Sequence, residues 1–255
     1  MARQERAAIV MRVARAWYRL GSFEILLKRK EPQLAQTLAD FIIKHHFPHI
    51  DMNDADKYVK WFSEVAHTNL DMVATWQGVG FTHGVLNTDN ISVLGDTIDY
   101  GPYGFMDHYY EHYVPNSSDD MGRYAFNKQP EILVWNLGKF AEALDPILSE
   151  EDKAKIKAGI ATLPEYVNNQ VLKTYLAKLG LKEIQDGASS FIKDLLDMMQ
   201  STSADFTCTF RQLAEVRLLL KIFKEPYSVN KEAEMLGYSS QPPSWSYGLK
   251  LSCSS

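Results

Sequence analysis

The chain has 255 residues, 45% hydrophobic, 12% aromatic and 23% charged, with a formal net charge of −5. That apolar content excludes wholesale disorder and suffices for one large domain or two small ones. The acidic balance, without a basic stripe, argues against a nucleic-acid binder, and no run of about 18 apolar residues is present to span a bilayer. Arg3, Arg6, Arg12 and Arg15, with Glu5 as the sole acid, superficially suit an organelle-targeting peptide. Ile9, Val10, Val13 and Trp17 lead into dense apolar sequence, however, so the expectation is that this segment is already folded domain.

A helix is expected over 32–47, with Pro32 in its first turn and Leu34, Leu38, Phe41, Ile42 and His45 as one stripe. This pattern places His45 inward and His46 outward. A second helix is expected over 57–77, burying Val59, Phe62, Val65, Ala66, Leu70, Val73 and Trp76 and ending at Gly78 and Gly80. Residues 91–94, a Gly95-Asp96 turn and Thr97-Ile98 then read as a short hairpin. Residues 101–130, rich in Gly, Pro, Asn, Asp and Tyr, read as a long functional loop. Helical patterns follow at 130–145, 150–180, 189–200 and 208–224, and the Pro- and Ser-rich last thirty residues read as an extended tail. No internal repeat is visible. The fold class is therefore mainly α with a short β-hairpin.

The segment that carries chemistry is His83-Gly84-Val85-Leu86-Asn87-Thr88-Asp89-Asn90, followed by the hairpin and then Asp99-Tyr100-Gly101. Protein kinases hold metal–nucleotide with H-R-D-x-x-x-x-N, a short hairpin and D-F-G. His83 and Asn90 keep the kinase spacing, and Asp99-Tyr100-Gly101 stands where D-F-G belongs. The kinase base position, however, holds Val85, which cannot accept a proton; the nearby acid is Asp89, immediately before Asn90. The alternative is a turn-rich loop in which Asn87, Asp89 and Asn90 merely cap backbone groups.

The run HGVLNTDNISVLGDTIDYGPYGF resembles the selenoprotein O family, the YdiU-type protein adenylyltransferases. RVARAWYRLGSFE, GRYAFNKQPEILVWNLGKFAEAL, ADFTCTF and the ending YSSQPP…SCSS extend the resemblance over most of the chain. It implies a protein-kinase-like C-terminal lobe over 1–148, a helical extension over 149–224 and a tail over 225–255. It also implies transfer of AMP from ATP to hydroxyl groups of Ser, Thr or Tyr in protein substrates, with magnesium or manganese. Carried over by position, Asp89 is the catalytic base, Asn90 and Asp99 are metal ligands, and Asp99 also approaches the nucleotide. Arg12 and Arg19, seven apart, hold the phosphates, which suits guanidinium chemistry. Arg15, Ala16 and Trp17 depart from the family's small polar residues. No Gly-rich loop, strand lysine or partner glutamate precedes the catalytic segment, and ADFTCTF runs into RLLLKIFKEPY early, so a fragment or incomplete chain is expected. Other readings of the kinase-like residues are γ-phosphoryl transfer and an inert module with a binding or regulatory role.

Two cysteines, Cys208 and Cys253, are too few for a disulfide framework or a four-ligand zinc site and suggest a reducing intracellular compartment. The resemblance implies a mitochondrial location for eukaryotic members, although this N-terminus is not expected to be a transit peptide. Cys253 sits where the family carries selenocysteine or cysteine and reads either as a redox-active tail thiol or as an inert one. Cys208 reads as a small core residue. His45, His46 and His49 lack the acid of an H-E-x-x-H site. His83 is expected to bond backbone beside the catalytic loop, and Arg123 and Tyr124 to shape the loop.

Overall fold

The computed structural model describes residues 8–181, 184 and 186–213. Arg3 and Arg6, the expected helix beyond residue 213, the tail and Cys253 lie outside the described residues. The elements are mostly helices: α1 (Leu20–Arg29), α2 (Pro32–His46), α3 (Lys57–Val79), α4 (Gln129–Leu144), α5 (Glu150–Lys178) and α6 (Ala188–Ser201). Residues 206–213 are also helical. A two-stranded antiparallel sheet pairs β1 (Phe81–Thr82) with β2 (Gly104–Phe105) in the register Phe81↔Phe105 and Thr82↔Gly104. No helix among the described residues is long and apolar enough to cross a membrane.

The core is built on α3. Its Trp61, Phe62, Val65, Ala66, Leu70, Val73 and Trp76 are all buried, and it packs against both α4 and α5. Phe140 of α4 meets Phe23 of α1, Trp61 and Phe62 at centroid separations of 5.4–5.9 Å, so one aromatic knot joins three helices. The start of α5 is fixed by Ser149, whose Oγ accepts the Asp152 N–H at 3.1 Å, and Glu150, Glu151 and Asp152 complement the helix dipole there. A smaller cluster of Met106, Tyr109, Phe126, Tyr175, Met199 and Phe206 draws the long irregular segment onto α5 and α6.

Several expectations are corrected. Helix α1 was not anticipated, although Leu20, Phe23 and Leu26 recur at helical spacing and Lys28 and Arg29 occupy its last turn. Ile9, Val10, Met11 and Val13 are 75–102% exposed, so the buried domain begins near Leu20 rather than at these residues. The buried stripe of α2 is Ala35, Ala39, Ile42 and Ile43, one position round from the expected one. Leu34, Phe41 and His45 are exposed, while His46 is half-buried against the Tyr18 ring. The two alanines let the helix approach its neighbours more closely than leucines at those positions would allow.

The expected hairpin at 91–98 shrinks to one bridge, Ile91↔Thr97. Its ladder groups are spent elsewhere: the Val93 N–H donates to Tyr18 O at 2.9 Å, and Ile91 O accepts from the Leu20 N–H at 3.0 Å. Cys208 is half-buried, with its N–H donating to Asp205 Oδ1.

Because Phe140 has no exposed surface and touches three aromatic partners, Phe140→Ala should destabilise the fold by about 3–5 kcal/mol. Urea unfolding of the two proteins measures this, and a loss under about 1 kcal/mol would contradict the assignment of the core.

Candidate functional site

Segment 83–90 leaves β1 and runs as irregular chain into a short 3₁₀ turn, Thr88–Asn90. Irregular backbone needs other partners for its carbonyls, and three asparagines supply them. Asn116 Nδ2 donates to Gly84 O at 3.1 Å, Asn90 Nδ2 to Val85 O at 3.0 Å and Asn136 Nδ2 to Leu86 O at 2.9 Å. The next residue, Asn87, accepts from the Tyr124 hydroxyl through its side-chain oxygen. Asp119 in turn accepts the backbone N–H groups of Arg123 and Tyr124 at 2.8 Å each. Gly84 has φ +87°, and a Cβ there would lie 2.3 Å from Pro102 O, so only glycine lets the loop pass.

His83 anchors the base of the loop. Its Nε2 lies 2.8 Å from Ile98 O, and its backbone N–H donates to Gln129 Oε1 at 2.9 Å. Burial holds its pKa below the usual value, although the Ile98 carbonyl, the Asp99 charge and Val85 pull the other way. A neutral ring with its proton on Nε2 satisfies the Ile98 carbonyl and leaves Nδ1 to face the Val85 N–H, 3.4 Å away.

Asp89 stands on the outer side of the 3₁₀ turn, exposed, and its carboxylate has no hydrogen-bond partner among the described residues. Its backbone is held from behind by α1. A Cβ on Gly21 would come within 2.9 Å of Asp89 N, so glycine there permits the contact. Asn90 spends its amide nitrogen on Val85 O, which leaves Oδ1 as its remaining polar atom.

Asp99 follows the residue that His83 bonds, and it adopts φ +55°, a left-handed conformation that Asp tolerates better than most residues. Its Oδ2 accepts from Arg19 Nε at 2.7 Å, both side chains being about one-third exposed. Arg12 is exposed, with its guanidinium 4.7 Å from the centre of the Tyr100 ring. The arginine segment and Asp99-Tyr100 are thus brought together, while Asp89 lies against Gly21 of α1 and Asn90 against Val85 of the clamped loop. No group of three or more His, Cys, Asp or Glu among the described residues is placed to hold a metal. Asn90 and Asp99 offer hard oxygen donors that suit magnesium or manganese, but two such ligands would leave the ion dependent on phosphate oxygens and water. A separate hollow of about 510 Å³ along α3, lined by Ser63, Glu64, His67 and Asp71 among others, shares no residue with this site.

Asn116, Asn136, Gln129 and Gly21 escaped the sequence reading. An isolated amide carries no spacing signature, and the polar residues on the buried face of α4 were the one available clue.

The family model described as Protein adenylyltransferase SelO matches residues 2–246. Among curated relatives, the protein nucleotidyltransferase YdiU of Enterobacter sp. (strain 638) is 41% identical over 211 residues, which is 83% of this chain and 43% of that protein. Its namesakes in Klebsiella pneumoniae (strain 342) and Nitrosospira multiformis are 44% and 43% identical, covering 83% and 84% of this chain and 43% and 38% of theirs. The chain therefore spans less than half the length of these relatives.

A His83 ring held neutral by burial binds fewer protons folded than unfolded, so stability rises with pH across its titration. Its contribution is full above the unfolded value near 6.5 and falls away as pH drops below it. The wild type should lose more of its urea midpoint between pH 7.5 and 5.5 than His83→Asn does. Equal losses would contradict this.

Proposed function

The chain belongs to the family of the protein adenylyltransferase SelO, and from that membership we propose that it forms the catalytic part of a metal-dependent protein adenylyltransferase. In this reading a Ser, Thr or Tyr hydroxyl of a protein substrate attacks the α-phosphorus of ATP. The bond to the bridging oxygen breaks and pyrophosphate leaves. Asp89, exposed and unpartnered among the described residues, takes the hydroxyl proton. Asn90 Oδ1 and the Asp99 carboxylate would hold magnesium or manganese, which supplies charge neutralisation at the phosphates. Arg12 and Arg19 hold the triphosphate, and Asp99 approaches the nucleotide. The surrounding architecture would be the C-terminal lobe of a protein-kinase-like fold.

The observation that carries the reading is the 2.7 Å contact between Arg19 Nε and Asp99. Because Arg19 donates there from Nε, its two terminal amino groups remain for phosphate oxygens, and one guanidinium can touch ligand and metal-binding carboxylate together. Val85 at the kinase base position favours adenylyl over γ-phosphoryl transfer, since a valine side chain accepts no proton.

Incubation of the chain and a candidate protein substrate with manganese and ATP labelled at either the α- or γ-phosphate tests the reaction. Label should be retained from the α position, and Asp89→Asn should lower the rate about 10²- to 10⁴-fold. Retention from the γ position alone would replace the reading with phosphoryl transfer. Nucleotide binding without any label transfer would reduce it to a binding module.

A further inference from the structure

Residues 18–20, the end of a strap that starts at residue 12, lie antiparallel to residues 91–93. The Leu20 N–H donates to Ile91 O, Arg19 bridges Ser92, and the Val93 N–H donates to Tyr18 O. Farther along, Arg15 meets Asp96 and the Arg12 guanidinium covers Tyr100. Backbone pairing stops at Tyr18, so the strap beyond it depends on side chains. Met11 and Val13, on either side of Arg12, are 86% and 88% exposed and give it no apolar anchorage. Arg15 gives it a polar one: Nη2 donates to Leu94 O at 2.7 Å and to Asp96 Oδ1 at 2.8 Å. Its Nε donates to both Asp96 oxygens, at 3.0 and 3.2 Å. A planar guanidinium that grips a carboxylate and a carbonyl together fixes direction as well as distance.

We propose that Arg15 and Asp96 are positioning residues, a latch that holds the strap on the 94–96 turn and so presents Arg12, which lies beyond the backbone-paired Arg19, to the phosphates of a nucleoside triphosphate. This rests on the nucleotide-binding reading of the site. Neither residue touches the nucleotide; both act through Arg12. The Arg15 side chain is 67% exposed and that of Asp96 24%, so the effect is modest and sensitive to salt.

The test titrates manganese–ATP into the full chain and into Arg15→Ala, Asp96→Ala, their double variant, Arg15→Lys and Arg19→Ala, at low and at 0.5 M salt, while amide exchange is followed at Val93 ("low" being about 0.05 M). Arg15→Ala and Asp96→Ala should each weaken nucleotide affinity about threefold to fivefold, and the double variant no further. Arg15→Lys should recover part of the loss, and high salt should erase the difference, which simple loss of packing would not do. The Val93 amide should exchange faster in Arg15→Ala at an unchanged melting temperature. Wild-type affinity in Arg15→Ala beside weakened affinity in Arg19→Ala overturns the latch and leaves the nucleotide reading standing. Faster Val93 exchange with no nucleotide binding by any form overturns that reading and the proposal with it.

Discussion

Three consecutive carbonyls, of Gly84, Val85 and Leu86, have no strand or helix to bond them, and each accepts instead from an asparagine amide. The donors come from the long irregular segment, from the loop itself and from α4. A peptide carbonyl buried without a partner costs about 1–3 kcal/mol, so the clamp is what makes this irregular path affordable in a folded protein. Asn90 is both a member of the clamp and a candidate metal ligand. Its amide nitrogen sets the orientation of its oxygen, and Asp89 beside it inherits a fixed backbone. The site is therefore held by polar groups on a rigid helical base, with Asn136 tying it to the same α4 whose Phe140 enters the central aromatic knot.

The arginine strap joins the site through backbone hydrogen bonds and one isolated bridge, Arg19↔Ser92. Its residues 18–20 take the hydrogen bonds that a simple 91–98 hairpin would have made with itself. The exchange has a consequence for the site. A self-contained hairpin would hold only Asp99 in place, whereas pairing with the strap brings a guanidinium 80 residues away in sequence to 2.7 Å from the Asp99 carboxylate. The positive φ of Asp99 fits this geometry, since it turns the chain where Arg19 and the His83–Ile98 contact converge.

Much of the architecture was legible in the sequence because it follows from periodicity. The 3.6-residue recurrence in α3 and α4, with Pro130 marking a helix start, gave boundaries close to those observed. Where the reading slipped, long-range packing decided. Leu34 and Phe41 of α2 are the larger side chains, yet Ala35 and Ala39 face inward because close helix approach needs small groups. Hairpin pairing at 91–98 was locally sensible but lost to a partner far away in sequence. At the site, the spacing of His83, Asn90 and Asp99 was visible, and the backbone role expected of His83 matches its bond to Ile98 O. The asparagine clamp was not visible, because single amides acting across 32 and 50 residues leave no local pattern.

The central claim is that Arg19 and Asp99 act on one ligand. A double-mutant cycle of Arg19→Ala and Asp99→Ala, read as manganese–ATP affinity, addresses it directly. The account predicts that the two losses are coupled by about 1 kcal/mol or more, as expected for residues in contact at a shared ligand. Losses that add to within about 0.3–0.5 kcal/mol would contradict it.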